Sequence, residues 1–352
     1  MKYSFKNVGV VTNNDDNKIS FKRRMLPLQK YAEIHNINVS IFDSKESDYD
    51  VIIIAATPRD FRTAKDISKK SNAILIVDRS DYLGNIFGVT KFGQWLMILK
   101  SLAISLVRMR IHEYLILYYL IQRSSLMVLG SKRQSDYCQE AFNTSSTYLT
   151  DPINSNEYSR DVVSTHTNAK VRMIWEGTEA SFLQLELILP VLRMLRKRVD
   201  FELVLFTDRF QKPESIGLYD MLDDALDVKH IVWDSSSFQA IMSSCDIGLA
   251  PIDKNNEFNR SKPYNKLLSY WAFGLPVVCD NIESYENIVG DSHGGLICSN
   301  AEDWLENLSK LVRHSDMRKS MGKAGYEYAW TYHNEMVYAS LYFERIHAIC
   351  KV

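Results

Sequence analysis

Short apolar runs rich in Val and Ile alternate along this chain with stretches whose apolar positions recur at helical spacing. NVGVVT (7–12) opens the series, and a polar loop then leads into a predicted helix around Arg23 to His35. NVSIF (38–42), DVIIIAAT (50–57), a helix near Asp60 to Lys70, and AILIVD (73–78) follow, with SLMVLGS (125–131) and STYLTDP (146–152) as two further strands. A second series begins after NSNEYSRDVVSTHTNAK (154–170), which has no periodicity and reads as a linker. In it VRMIWEG (171–177) predicts a strand, SFLQLELILPVLRMLRKR one helix, and FELVLFTD (201–208) the next strand. KHIVWD (229–234), a helix near Ser237 to Ser244, DIGLAPI (246–252), a helix over Lys266 to Phe273, and LPVVCD (275–280) complete the pattern. Such alternation predicts an α/β chain with parallel sheets, arranged as two Rossmann-like domains facing a cleft. In such sheets ligands sit beyond the carboxyl ends of the strands, so those loops are where chemistry is expected.

Composition narrows the class. A chain of 352 residues with 46% hydrophobic and 24% charged residues suits two globular domains with real cores. A formal net charge of −1 lacks the basic excess of a nucleic-acid binder, so no nucleic-acid partner is expected. The five cysteines, Cys138, Cys245, Cys279, Cys298 and Cys350, contain no C-x-x-C pair, which predicts neither a disulfide framework nor a zinc site and fits a reducing cytoplasm. The amino-terminal MKYSFKNVGVVTNNDD lacks the apolar core of a secretory signal.

One stretch concentrates the candidate chemistry. In RSKPYNKLLSYWAFGLPVVCD (260–280), Leu267, Leu268, Trp271 and Ala272 recur at helical spacing, and Gly274 and Pro276 supply a stop. Arg260, Lys262 and Lys266 crowd the start of that helix, where unpaired backbone N–H groups already carry partial positive charge. Cations there oppose the helix dipole. Either they are simply solvated, or the end of the helix holds an anion such as a diphosphate.

The ordered segments DIGLAPI, SKPYNKLLSYWAFGLPVV, SYENIVGDSHGGLI and AEDWLENLSKLVRHSDMRKSMGKAGYEYA resemble the C-terminal domain of GT-B-fold glycosyltransferases, particularly the retaining family 4-like enzymes, over Val171 to Trp330. In the N-terminal half the likeness is looser and rests on AILIVDRSDYL and SLMVLGSKRQSDY. The resemblance implies an acceptor-binding domain over 1–165, a nucleotide-sugar-binding domain over 166–328, and a terminal helix over 329–352 that crosses back to the first domain. Where the family carries a pair of glutamates around the helix, this chain has Ser261 and Ser269, which offer hydroxyls without charge. Its usual cations after the first strand of this domain are replaced by Gly177 and Thr178, which shifts diphosphate neutralisation to Lys262 and Lys266, with Arg209 and Arg260 in support. Trp233 falls where the nucleobase pocket of the family begins, although a core aromatic is the commoner reading, and Ser235 to Ser237 are expected to cap the next helix. No DxD motif marks a metal site, and the resemblance implies no cofactor beyond the donor sugar nucleotide.

On the acceptor side, residues 91–133 contain seven Lys or Arg and one acidic residue, Glu113, among many apolar positions. Charges interrupt every run before the roughly 18 apolar residues of a spanning helix, leaving either two core helices or a basic face for peripheral membrane contact. Asp81, just beyond a strand end, is the carboxylate expected to serve catalysis. Arg23 and Arg24 read as solvated helix arginines rather than as contacts to acceptor or diphosphate, and His166 in the linker as incidental. The expected activity is sugar transfer from a nucleotide-diphosphate sugar to a hydroxyl of a glycan or lipid-linked acceptor, in surface polysaccharide biosynthesis at the inner face of the membrane. A non-catalytic scaffold of the same fold is the alternative. A dinucleotide-dependent oxidoreductase is disfavoured because no G-x-G-x-x-G follows a predicted strand.

Overall fold

The computed structural model describes residues 2–12, 19–46, 48–58, 61–69, 72–80, 83, 111–155, 157–164 and 170–351. Asp81, His166 and residues 91–110 of the basic stretch lie outside them. The chain divides into two compact units. The first comprises Met1–Pro152, Ser261–Pro263 and Glu335–Val352, the second Ile153–Arg260 and Tyr264–Asn334.

In the first unit β1 (Asn7–Val11), β2 (Asn38–Ile41), β3 (Val51–Ile54), β4 (Ile74–Arg79), β5 (Leu126–Leu129) and β6 (Ser146–Tyr148) form one parallel sheet in the order β2-β1-β3-β4-β5-β6. The interior strands β3 (VIII) and β5 (LMVL) are apolar without interruption and buried throughout because both faces are covered, whereas the edge strands β2 and β6 carry polar, partly exposed residues. Val8, Val10, Val51, Ile53, Ile76 and Val128 point into one core, while Ile52, Ile54, Val77, Met127 and Leu129 point into the other. The first core is filled by Tyr338, Ala339, Tyr342, Phe343 and Ile346 from the terminal helix Glu335–Cys350, buried at helical spacing. Helix Ile111–Ile121 buries Ile116, Leu117, Leu120 and Ile121 in the second, while Tyr118 on the same helix is exposed.

Arg24 is not a solvated helix arginine. It is 2% exposed and grips Asp78 through both carboxylate oxygens, Nε to Oδ1 at 2.7 Å and Nη2 to Oδ2 at 3.0 Å. Its Nη1 donates to the Leu149 carbonyl and to Asp151 Oδ1, each at 2.8 Å. Burial works against the charge, yet the two carboxylates more than offset it and hold the guanidinium firmly protonated.

The second unit carries β7 (Val171–Glu176), β8 (Phe201–Thr207), β9 (Asp227–Val232), β10 (Ile247–Ala250), β11 (Val277–Asp280) and β12 (Gly295–Cys298), all parallel, in the order β12-β11-β10-β7-β8-β9. The chain runs outward from β7 to β9, then returns to the other side of β7 with β10. The strand order therefore reverses between β7 and β10. Alternate residues again fill two cores, Ile174, Val204, Phe206, Val277 and Cys279 on one face and Met173, Trp175, Leu203, Leu205 and Val278 on the other.

Two expectations change. The single helix expected after β7 is three pieces, Glu179–Phe182, a 3₁₀ turn Leu183–Ile188, and Leu189–Arg196, because Pro190 lacks the N–H that would continue the ladder and opens the last piece instead. Residues 154–155 and 157–164, expected as linker, belong to the second unit: Tyr158 is buried in its core, Ser164 N–H donates to the Phe273 carbonyl at 2.8 Å, and its Oγ to that of Cys245 at 2.6 Å. No helix among the described residues is long and apolar enough to cross a membrane.

Candidate functional site

The site is built at the carboxyl end of β7, beside the reversal of strand order. The β10–β7 ladder pairs only Ile247 with Met173 and Gly248 with Ile174, so the last residues of β7 need other partners on that side. Helix Asn265–Trp271 supplies them. It is anchored by Leu267, Leu268, Tyr270 and Trp271, all buried, and ends just before Gly274, whose φ of +70° fits the expected stop.

Lys266 and Tyr270 stand one turn apart on this helix and so share a face. Glu176 N–H donates to the Tyr270 hydroxyl at 3.0 Å, and that hydroxyl donates to the Leu249 carbonyl at 3.0 Å. Lys266 Nζ donates to the Glu176 carbonyl oxygen. Both polar groups of one peptide residue are thus held by two side chains of the same helix. The ammonium also lies over the Trp175 ring, 4.4 Å from its centroid, in cation–π geometry. Complete burial pushes the Tyr270 phenol far above its ordinary range, which keeps the hydroxyl neutral and able to donate.

Two glycines make this packing possible. A Cβ on Gly248 would stand 2.5 Å from the Tyr270 ring, so β10 accepts the ring only without a side chain there. A Cβ on Gly177 would meet the Trp175 ring at 2.9 Å and Ser181 Oγ at 2.9 Å.

The neighbouring strand ends carry other expected residues. Thr178 occupies the N-cap position of Glu179–Phe182 without a side-chain capping bond. Arg209 is exposed in a loop that Glu179 pins: its Oε1 accepts the N–H groups of Gln211 at 2.7 Å and Lys212 at 2.8 Å, while its own N–H donates to Asp208 Oδ2 at 3.0 Å. Those backbone bonds pull the Glu179 carboxyl below its usual range. Trp233 is not a core aromatic. It is 38% exposed after β9, and its ring lies 6.3 Å from that of Phe206. Ser237 does not cap the following helix with its side chain; its Oγ donates back to the Asp234 carbonyl at 3.2 Å.

Beyond β10, the exposed Arg260 pairs with Glu257 at 3.7 Å. Ser269 is 6% exposed and receives the Tyr158 hydroxyl at 3.4 Å. Ser261 and Lys262 group with the first unit rather than with Lys266. The Ser261 carbonyl accepts from Ser131 Oγ at 2.6 Å, and burial lowers the Lys262 pKa. Lys266, Gly177 and Thr178 are therefore brought to one strand end, with Arg209 and Trp233 at the next two.

Sequence reasoning missed Trp175, Tyr270 and Gly248. A lone glycine inside an apolar strand was the available signal for the last of these. It also missed a brace across the other strand ends, in which Lys254 Nζ donates to Asn281 Oδ1 and to the Ser299 carbonyl, the latter at 2.8 Å. Beneath it Asp280 accepts Ile252 N–H at 2.8 Å and Trp304 Nε1–H at 3.1 Å, and burial raises its pKa despite these bonds. Among the described residues, no group of three or more His, Cys, Asp or Glu side chains is placed to hold a metal ion.

Two parallel Rossmann-like units and a terminal helix packed in the first are the architecture of the GT-B glycosyltransferase fold. Residues 194–339 match a family model described as glycosyl transferase-like. A glycosyltransferase from Rickettsia africae matches with a TM-score of 0.67 at 11% identity, covering 99% of this chain and 100% of that one. Anabaena HepE, solved in complex with UDP and glucose, gives 0.65 at 10% identity over 97% and 100% of the two chains. WaaG, a glycosyltransferase involved in lipopolysaccharide biosynthesis, gives 0.60 at 13% identity over 96% and 99%. No curated protein sequence matches the chain.

Proposed function

We propose that the chain is a glycosyltransferase that moves a sugar, with retention at the anomeric carbon, from a nucleotide-diphosphate sugar to a hydroxyl of a glycan or lipid-linked acceptor. The observation that carries this reading is that Lys266, a residue of the segment that matches the glycosyl transferase-like model, has its ammonium fixed at the carboxyl end of β7. A cation held there ahead of the reaction stabilises the charge that develops on a departing diphosphate without reorganising in the transition state. Gly177 lets the backbone approach a phosphate closely, Arg209 adds exposed positive charge, and Trp233 offers an exposed face to a base. Lys262, Arg260, Thr178, Ser261 and Ser269 complete the donor-binding set in this reading, and Asp81 serves the acceptor hydroxyl. No cofactor besides the donor is required. Binding of UDP and UDP-glucose by HepE makes uridine nucleotides the first donors to test, and the role of WaaG in lipopolysaccharide biosynthesis supports a cytoplasmic enzyme of surface polysaccharide assembly, at the inner face of the membrane where lipid-linked acceptors reside.

Transfer and donor hydrolysis assayed over a panel of nucleotide sugars test the proposal. Lys266→Met is expected to lower turnover of the accepted donor by about 10²- to 10³-fold, the scale seen when one preorganised electrostatic group is removed. Absence of both turnover and nucleotide binding across the panel overturns it.

A second reading is favoured by one observation. Ser269 is buried and already engaged by Tyr158, so it presents no charge and little hydroxyl surface to a ribose. A scaffold of this fold that binds a glycan or a partner transferase without turnover would tolerate that. Such a scaffold binds nucleoside diphosphate, if at all, independently of Lys266.

A further inference from the structure

The ammonium of Lys266 sits at the end of a long, rotamer-rich side chain, and holding it at one point costs entropy that some other contact must offset. Three features of the second unit meet that requirement. The Trp175 ring, itself fully buried, lies 4.4 Å from the ammonium, and Gly177 leaves room for the ring, since a Cβ there would come within 2.9 Å of it. The Glu176 carbonyl receives the Lys266 hydrogen bond. Tyr270 then fixes Glu176 itself, accepting its N–H while donating to Leu249 across the gap where β7 and β10 stop pairing.

Trp175 belongs to the core on one face of the sheet, and Tyr270 to the core on the other. Lys266 is therefore held at the carboxyl end of β7, directly by Trp175 and the Glu176 carbonyl, with Glu176 secured by Tyr270 from the other core. Burial alone does not explain this arrangement, because a Phe at 270 would fill the same core without the bridging hydroxyl, and a Leu at 175 would pack without offering a cation a negative ring face.

We infer that Trp175 and Tyr270 are positioning residues that set where the Lys266 ammonium stands, and through it the affinity for the diphosphate of the donor. The inference rests on the donor reading given above and identifies what makes Lys266 a fixed charge rather than a solvated one. Neither residue touches the diphosphate; each acts through Lys266.

Two measurements on the full chain test it. In the first, reductive ¹³C-methylation of the lysines gives an NMR signal for Lys266, assigned by its disappearance in Lys266→Arg. The Trp175 ring current is expected to place this signal upfield of the other lysines, and Trp175→Leu and Tyr270→Phe to return it toward them. In the second, calorimetry with UDP is expected to show binding weakened about 3- to 30-fold by Trp175→Leu and less by Trp175→Phe, which keeps an aromatic face. Tyr270→Phe is expected to weaken it about 2- to 10-fold. None of these changes should matter further in a Lys266→Met background, and this separates positioning from a general loss of stability. If wild-type protein binds UDP and the Trp175 and Tyr270 variants bind equally well, or if their effects add to that of Lys266→Met, the inference fails while the donor reading stands. If the NMR signal behaves as expected but wild-type protein binds no nucleoside diphosphate, the donor reading falls and takes the functional role of Trp175 and Tyr270 with it.

Discussion

His333 closes helix Ser315–Tyr332, its N–H donating to the Ala329 carbonyl at 2.9 Å, with its ring against Tyr264 at 5.4 Å and Tyr328 at 5.6 Å. Its Nε2 is buried and finds no hydrogen-bond partner among the described residues. Burial pushes its pKa from the ordinary 6.5 down to about 4, so the folded chain holds a neutral imidazole where the unfolded chain is protonated. Between those values the unfolded state binds more protons, and stability is expected to fall as pH drops through that window. His333→Phe keeps the ring packing and should flatten this acid limb in denaturation midpoints measured across it. Arg24 poses a different test. Removing a fully buried cation strands two carboxylates, so Arg24→Met is expected to cost about 3–5 kcal/mol in denaturant unfolding, and adding Asp78→Leu to recover part of that loss. Lys266 was legible in the sequence as a cation at a helix start beside an apolar face. Trp175 was not, because an aromatic in an apolar strand looks the same whether its ring serves only the core or also a charge.

At the scale of elements, strands were readable where burial on both faces made them continuously apolar, as in VIII at 51–54 and IGLA at 247–250. Helix continuity was less readable. The pattern over SFLQLELILPVLRMLRKR keeps its period through Pro190, so periodicity alone predicts one helix, and only the missing N–H reveals the break. The pairing of helix Asn265–Trp271 with β10 was also hidden, since it depends on a ring lying flat on a backbone. Gly248→Ala tests it directly: the added methyl meets Tyr270 at 2.5 Å in a filled core. A loss of about 1–3 kcal/mol is expected in equilibrium unfolding, the usual range for overpacking. Pairing it with Tyr270→Leu should relieve part of that strain.

For the whole molecule, the pattern predicted two α/β series and the family resemblance implied a returning terminal helix, but neither predicted which pieces of chain each unit would gather. Tertiary contacts, not composition, assign Ser261–Pro263 to the first unit and the packed stretch after Pro152 to the second. The terminal helix supplies five buried side chains, Tyr338, Ala339, Tyr342, Phe343 and Ile346, to the core that also contains Tyr3, Phe5 and Leu28. Removing residues 335–352 should therefore abolish the cooperative unfolding transition of the first unit and expose apolar surface to a hydrophobic dye, while the second unit keeps its own transition.

The same feature bears on how the chain matures. Translation delivers the amino end first, and domains ordinarily fold in that order as they emerge. Here all six strands of the first sheet are made long before Phe343 and Ile346, so the earlier-born half must wait, incompletely sealed, until the last helix is synthesised. Nascent chains stalled short of their last helix would be natural clients for holdase chaperones, and tags or fusions at the carboxyl end would weigh on the half of the protein synthesised first.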